Sequence, residues 1–491
     1  MSRTRAIRAG AWSVALQVVR LGIQAGVFLL FARYLTLKEV GAYSFAYAFV
    51  QVIQAFVRTG VMEVFVAAPR TDRAFIAAAN MSSIIIGVLS AVFIATVGIV
   101  TQVFNGSSPW IFLFLATVPL IDSLGIVPEA ILRKNLEFSS ITLRTTAGLT
   151  VAAAICLLLG YLGWRASALV AFNIATSLIS TLIAMFIVRR NISFTSVHWP
   201  DVKSIIGPSF HVSLSTFASG IVVPASQIAL GAFAGPAALG AYAIAQRILS
   251  LINSVLVDPV RVAALPVLSK VKGDAGRRSA LIEVLSLCAT IISPICLGLA
   301  AVSPVLLTLA LGENGKIAAP IFMVLALHFV PLTISMASSQ LLLVQNKSKE
   351  VLKYSSSLAV LGVLTAILTS PFGPIATAAG YVLRAYVLTP MALRQVDKFG
   401  GVAPMVILKA IYRPVICAAA MELLILGMER FVIPADVGAL PRLLILMLCG
   451  SATYLLLIAL FGRHHLNLMT KIIRDMVQFK STPKISSNPG I

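Results

Sequence analysis

Long apolar stretches follow one another along the 491-residue chain, each ended by glycine, proline or a small cluster of charges. About 20 apolar residues are enough for a helix to cross the hydrocarbon core of a bilayer. Hydropathy punctuated in this way gives fourteen such stretches, at residues 10–34, 41–68, 74–104, 109–132, 140–162, 164–188, 204–233, 237–268, 279–310, 317–345, 351–371, 374–396, 412–433 and 440–461. The connections between them are short. Only 11% of residues are charged against 59% hydrophobic, whereas a soluble globular chain carries about 25% charged residues. Too few polar side chains remain to coat a surface facing water. The pattern predicts an all-α polytopic membrane protein of about 14 transmembrane helices and excludes a soluble enzyme and a disordered chain.

Basic residues test that count, because lysine and arginine stay on the cytoplasmic side of short loops. With the N-terminus inside and every stretch crossing, 26 of the 38 Lys+Arg fall in inside segments or the span ends that adjoin them, 6 in the corresponding outside positions and 6 deeper within the spans. Omitting one span would invert every later loop and erase the bias. Both termini are therefore expected in the cytoplasm. The net charge of +21 reads as a topology signal, not as a nucleic-acid surface. Gln17, Arg20 and Gln24 interrupt the first apolar stretch and no small-residue cleavage site follows, so it reads as an uncleaved span and not a signal peptide. The five cysteines lie in apolar runs without metal-ligand spacing and read as buried thiols.

A short internal repeat supports further division. Gly41-Ala42-Tyr43 opens the second span and Gly240-Ala241-Tyr242 opens the eighth, each after an outside turn. A shift of six spans preserves orientation, so the halves would be parallel repeats about an axis along the membrane normal. The expected domains are two six-helix bundles, 1–196 and 197–396, then two added transmembrane helices with an amphipathic lead-in, 397–462, and a cytoplasmic tail, 463–491.

Charges at bilayer depth cost at least about 2.5–3.5 kcal/mol each on insertion scales, so each needs a reason. Ser13, Gln17, Arg20 and Gln24 form one stripe on the first span; Gln51, Gln54 and Arg58 form another on the second. Arg247, Ser250, Ser254, Asp258 and Arg261 share a face of the eighth, and Arg384 sits deep in the twelfth. Arg20 and Arg247 lie too far from either end to snorkel easily. For Arg58, Arg144 and Arg261, nearer the cytoplasmic ends, snorkelling is the competing role, and Arg261 is also placed to pair with Asp258 one turn away. The mid-membrane acids Asp122, Glu129 and Glu422 either neutralise these arginines or carry a coupling cation or proton. His211 and His328 read as hydrogen-bonded core residues. There is no Walker loop, no His-Glu-x-x-His and no paired-cysteine site, and no outer loop is long enough for a catalytic domain.

The stretch Phe31-Ala-Arg-Tyr-Leu-Thr-Leu-Lys-Glu-Val-Gly-Ala-Tyr43, the connection Ile131-Leu-Arg-Lys-Asn-Leu-Glu-Phe138 and the segment Leu239-Gly-Ala-Tyr-Ala-Ile-Ala-Gln-Arg247 resemble the polysaccharide (Wzx-type) flippases of the multidrug/oligosaccharidyl-lipid/polysaccharide exporter superfamily. The likeness spans about residues 8–460. It implies two six-helix bundles around a cationic cavity in the bacterial cytoplasmic (inner) membrane. Alternating access there would flip an undecaprenyl-pyrophosphate-linked oligosaccharide for exopolysaccharide, capsule or O-antigen synthesis. The substrate-binding candidates are Arg20, Arg58, Arg247, Arg261, Arg384, Gln17, Gln24, Gln51 and Gln54; Asp122, Glu129, Asp258 and Glu422 are the coupling or charge-pairing candidates. Guanidinium groups suit a pyrophosphate through planar, multi-donor contacts. Expected partners are the lipid-linked substrate, membrane lipids, and polymerase and chain-length or export machinery; no cofactor and no nucleic acid is expected. A lipid II flippase shares the span count and cavity arginines. A multidrug/cation antiporter would normally have twelve spans and an acidic pocket, and a glycan polymerase a long catalytic outer loop. A scaffold would not need arginines at mid-bilayer.

Overall fold

The computed structural model describes residues 20–69, 72–105, 109–189, 197, 199–271, 273–434 and 437–462. The side chains of residues 55–59, 103–105, 211–212, 215–216, 218–219, 262–263, 265–267, 270 and 274 also lie outside the description. Gln17 therefore falls outside the described residues, as do the side chains of Arg58 and His211.

The expected apolar stretches are largely helical over their described residues, with 109–132, 204–233 and 317–345 each broken into two helices at Ala116, Ile221 and residues 327–328. The elements are α1 (20–34), α2 (Leu37–Ala67), α3 (Arg73–Asn105), α4 (Trp110–Leu115), α5 (Thr117–Lys134), α6 (Phe138–Tyr161) and α7 (Arg165–Val188). Then come α8 (Trp199–Gly220), α9 (Val222–Phe233), α10 (Gly235–Ile252), a π-helical turn (Asn253–Val257), α11 (Asp258–Lys270), α12 (Asp274–Leu311) and α13 (Glu313–Ala326). The chain ends with α14 (Phe329–Val344), α15 (Ser348–Thr369), α16 (Pro374–Gly400), α17 (Pro404–Gly427) and α18 (Ala439–Phe461). Among the described residues, eight helical segments are long and apolar enough to cross a membrane, or nine if the α13–α14 pair, bent by 44°, is one span. The chain is a multi-pass membrane protein.

Its helices are apolar on the outside as well as within. Leu89, Val92 and Phe93 on α3 and Leu182 and Phe186 on α7 are all exposed, which suits a surface solvated by acyl chains. Since lipid is as apolar as leucine, such helices associate by close packing of small residues. Gly148 of α6 sits against Ser180 of α7, and Gly125 of α5 against Thr181. Buried hydroxyls are satisfied by their own helices: Ser82 Oγ donates to the Ala78 carbonyl (2.8 Å) and Ser83 Oγ to the Ala79 carbonyl (3.0 Å).

The chain divides into two compact units, Met1–Val255 with Leu307–Leu325 and Leu352–Ala385, and Leu256–Leu306 with Ala326–Val351 and Tyr386–Ile491. Within the first, the two Gly-Ala-Tyr segments meet. A Cβ on Gly41 would stand 1.7 Å from the Pro236 carbonyl oxygen, and one on Gly240 would stand 2.1 Å from the Leu37 carbonyl oxygen. The starts of α2 and α10 thus touch backbone to backbone, which only glycine permits. Other motif residues hold ends in place. Thr36 and Glu39 form a capping box on α2, with Glu39 Oε1 2.9 Å from Arg165 Nε. Lys134 Nζ donates to the Ala68 carbonyl at the end of α2 (2.6 Å), where the helix dipole favours a cation. In the second unit, Ser293 Oγ of α12 reaches the Pro414 carbonyl of α17 (3.3 Å) and Tyr454 Oη of α18 reaches the Thr290 carbonyl (2.8 Å).

Turn geometry repeats along the chain more clearly than sequence does. Leu136 after α5 and Asn346 after α14 both adopt φ 59°, and Gly163 after α6 and Gly373 after α15 adopt φ 85° and 95°. Each pair is separated by 210 residues (136 to 346, 163 to 373). At the first pair the hydrogen bonds also match: Glu137 N donates to the Leu132 carbonyl (2.9 Å), and Lys347 N to the Leu342 carbonyl (2.8 Å). This six-to-one closure satisfies a helix-end carbonyl.

Candidate functional site: two adjoining polar cavities in the first unit

α2 brings Tyr43, Tyr47, Gln51 and Gln54 into one line, since steps of four, four and three residues stay on one helical face. They open onto a cavity of about 650 Å³, lined also by Gln24, Phe28, Asn173, Gln227, Gln246, Arg247 and Ser250. Tyr43 and Tyr47 stack with ring centres 5.6 Å apart. Asn173 Nδ2 of α7 donates to the Tyr43 hydroxyl at 2.6 Å, and Gln51 Nε2 meets Gln227 Oε1 of α9 at 3.5 Å. The wall is therefore of amides and phenols, groups that hydrogen-bond hydroxyl-rich ligands in either direction.

Arg247 supplies the charge. Its guanidinium lies over the Phe28 ring, 5.7 Å from the centroid. Its Nε is buried without a hydrogen-bond partner, and no described carboxylate pairs with it. Among the described residues, no acid lines this cavity.

A second cavity of about 270 Å³ shares Gln24, Tyr47, Gln54, Phe172 and Asn173 with the first. It is lined by Arg20, Asp122, Glu129 and Arg144 together with Ser177, Ser180 and Thr181. Here the charges are matched. Asp122 Oδ2 accepts from Gln54 Nε2 (2.7 Å) and Oδ1 from Ser177 Oγ (2.5 Å). Glu129 pairs with Arg144 and, at 2.8 Å, with Arg133 one turn on. Glu129 and Arg144 are 4% and 3% exposed. Arg144 does not snorkel: it is buried in an ion pair between α5 and α6. Desolvated charges persist in such a place only when paired.

Of the sequence candidates, Arg20, Gln24, Gln51, Gln54, Arg247, Asp122 and Glu129 are thus brought together in this unit. Arg384 is buried at 3% exposure against Tyr381, its Cζ 4.1 Å from the ring centre, and lines neither cavity. Asp258, Arg261 and Glu422 belong to the second unit. Asp258 and Arg261 are both exposed and do not pair with each other. A π-helical turn, Asn253–Val257, precedes them in the chain. Sequence reasoning did not single out Tyr47, Asn173, Ser177, Gln227 or Gln246. Gln246 directly precedes Arg247, and Asn173 lies one helical turn ahead of Thr176 and Ser177 on α7. Among the described residues no cluster of His, Cys, Asp and Glu could hold a metal ion.

The sequence profile of a family described as polysaccharide biosynthesis protein matches residues 30–320, more than half of the chain. The chain belongs to that family. By sequence, no curated protein matches it. Its fold is similar to that of the lipid II flippase MurJ in an inward closed conformation, with TM-score 0.72 and 16% identity over 94% of this chain and 99% of that one. It is also similar to an inward-facing multidrug resistance MATE family transporter of the MOP superfamily, with TM-score 0.61 and 13% identity over 78% and 95%. A MOP superfamily transporter from Pyrococcus furiosus follows at TM-score 0.50, 14% identity and 79% and 96% coverage. The family is thus one of polysaccharide biosynthesis, and the fold is similar to that of these transporters.

Proposed function

We propose that this member of the polysaccharide biosynthesis family flips undecaprenyl-pyrophosphate-linked oligosaccharide repeat units across the bacterial cytoplasmic membrane by alternating access, for exopolysaccharide, capsule or O-antigen synthesis. The observation that carries the reading is Arg247, a guanidinium without a counter-ion on a cavity otherwise walled by amides and phenols. A pyrophosphate supplies the missing negative charge, and the amides and phenols suit sugar hydroxyls. Arg20 holds the polar path open beside it, with Asp122 and Glu129 balancing the charge of the smaller cavity. In this reading residues 1–196 and 197–396 are the moving six-helix bundles and the recurring turns mark their correspondence.

The test is translocation of lipid-linked sugar in cells lacking the native protein, normalised to the amount of protein in the membrane. Without the protein, lipid-linked repeat units are expected to accumulate on the inner leaflet while surface polysaccharide falls. Arg247→Gln should cost at least about tenfold, since a charge-assisted hydrogen bond contributes about 1.5–3 kcal/mol. Arg247→Lys keeps the charge, loses the planar fork and should recover only part of the activity. Wild-type transport in Arg247→Gln removes this residue from the site. Failure to form the lipid-linked intermediate in the deletion strain would place the protein in synthesis. The extent of the likeness to MurJ favours lipid II as the second substrate to assay, by complementation of a strain depleted of its lipid II flippase.

A further inference from the structure

The second unit carries a cationic pocket that the transport site does not use. It lies where the first turn of α12, the last turn of α14 and the end of α16 come together. Its volume is about 190 Å³, and it is lined by Arg277, Arg278, Gln345, Lys398 and Phe399 with the backbone of Gly400 and Gly401. Among the described residues, no acidic side chain lines it.

Arg278, Gln345, Lys347 and Lys398 are held by carbonyls and an aromatic ring. Gln345 Nε2 donates to the Phe399 carbonyl (2.7 Å), and Arg278 Nε donates to the Gly400 carbonyl (3.1 Å). Gly401 adopts φ 61° and lies against the Arg278 guanidinium, where a Cβ would come within 2.4 Å of Nη2. The Phe399 ring carries two ammonium groups, Lys398 Nζ at 5.2 Å and Lys347 Nζ at 5.7 Å from its centre. Arg278, Lys347 and Lys398 make no ion pair with a described carboxylate. Two ammonium groups over one aromatic ring, with the Arg278 guanidinium two residues along the same backbone at Gly401, repel one another, and an anion relieves that repulsion.

We propose that this pocket binds the phosphodiester headgroup of an anionic membrane lipid. The volume suits a phosphodiester and is too small for a pyrophosphate bearing an oligosaccharide. Its place at the ends of three helices puts it at headgroup depth, where basic pockets between transmembrane helices take anionic lipids. Exposed apolar side chains stand within a few residues of the lining: Leu343 before Gln345, and Met405 and Val406 after Gly401. They offer acyl chains a surface, which a free phosphate would not need. Nothing in this assignment depends on what the first unit transports.

Native mass spectrometry of the purified full chain tests it, with phosphatidylglycerol, phosphatidylcholine and soluble glycerol 3-phosphate offered in turn. One phosphatidylglycerol should be retained per chain in preference to phosphatidylcholine. Each charge removed should weaken retention about fivefold, so Arg278→Gln with Lys398→Gln should nearly abolish it. Arg278→Lys with Lys398→Arg keeps both charges and should keep the lipid. Should the double glutamine variant not yield monodisperse protein, Lys398→Gln alone, exposed at the end of α16, carries the test. Equal retention of the two phospholipids, or of phosphatidylglycerol by wild type and glutamine variants, overturns the proposal. Glycerol 3-phosphate displacing the lipid at equal concentration would make the site one for soluble phosphate and overturn the lipid assignment.

Discussion

Removing Arg144 tests whether the smaller cavity is held by a buried ion pair. Arg144 and Glu129 are almost wholly buried and belong to neighbouring helices. Breaking a buried pair by deleting one partner costs about 3–5 kcal/mol, because the other charge is stranded. Here Arg133 remains, with Nη2 at 2.8 Å and Nε at 3.2 Å from Glu129 Oε1. That side chain is 43% exposed, so it offsets only part of the loss. Arg144→Gln is therefore expected to cost about 2–3 kcal/mol. Arg133→Gln, which removes a half-exposed partner one turn away, should cost about 0–1 kcal/mol. Replacing both Glu129 and Arg144 by glutamine takes away the stranded charge and should return to within about 1 kcal/mol of wild type. The assay is equilibrium unfolding of purified protein in mixed micelles, with protein level in the membrane as the cellular readout. Equal effects of Arg144→Gln and Arg133→Gln would show that Arg144 is solvated after all. A double variant worse than the single would show that the pair is not what stabilises α5 against α6.

Gly41→Ala should destabilise by about 1–3 kcal/mol, as overpacking does, because its Cβ would overlap the Pro236 carbonyl, whereas Gly22→Ala, with nothing within 4 Å, should be neutral; thermal unfolding separates them. Tyr43→Phe should lower transport little, since Asn173 keeps the Leu169 carbonyl at 2.9 Å, but Asn173→Leu orphans the Tyr43 hydroxyl and should lower transport several-fold in the same assay. A cysteine at Ser107 should react with an impermeant label in intact cells and one at Ser348 should not, and the reverse would overturn the fourteen-span orientation.

Much of the site is legible because helical stripes are local. Gln51 and Gln54, or Arg20 and Gln24, need only a 3.6-residue period to be read as one face. What escapes is whatever depends on a second helix. Arg144 reads as a snorkelling side chain because its position along α6 is near an end; the carboxylate that keeps it buried lies on α5. Gln227 has no stripe of its own and gains meaning only from Gln51, whereas Asn173 heads a stripe with Thr176, Ser177, Ser180 and Thr181 whose uncharged members drew no notice. No residue pattern announces the π-helical turn at Asn253–Val257 either. The internal correspondence is likewise hidden when Leu136 and Asn346 hold the same φ with unlike side chains.

The two cavities divide charge in a way that bears on the cargo. In the smaller one, two arginines meet two acids, so it is polar without being an anion trap. In the larger one a single guanidinium faces amides and stacked phenols with no acid at all. Moving Arg247 from water into such a place without a counter-ion is costly, and the cost is recovered only when an anion arrives. A cationic drug would add to that cost. An acidic pocket would reverse the preference, so on a fold shared with multidrug transporters the sign of this one cavity is what separates the cargo classes. The surrounding amides do not supply that sign; they accept and donate equally, which suits a hydroxylated chain of any sequence and, under the proposed function, leaves the pyrophosphate as the group the cavity would recognise. Recognition by the shared anion, with the sugar held loosely, is the arrangement expected of a carrier that must release what it has bound.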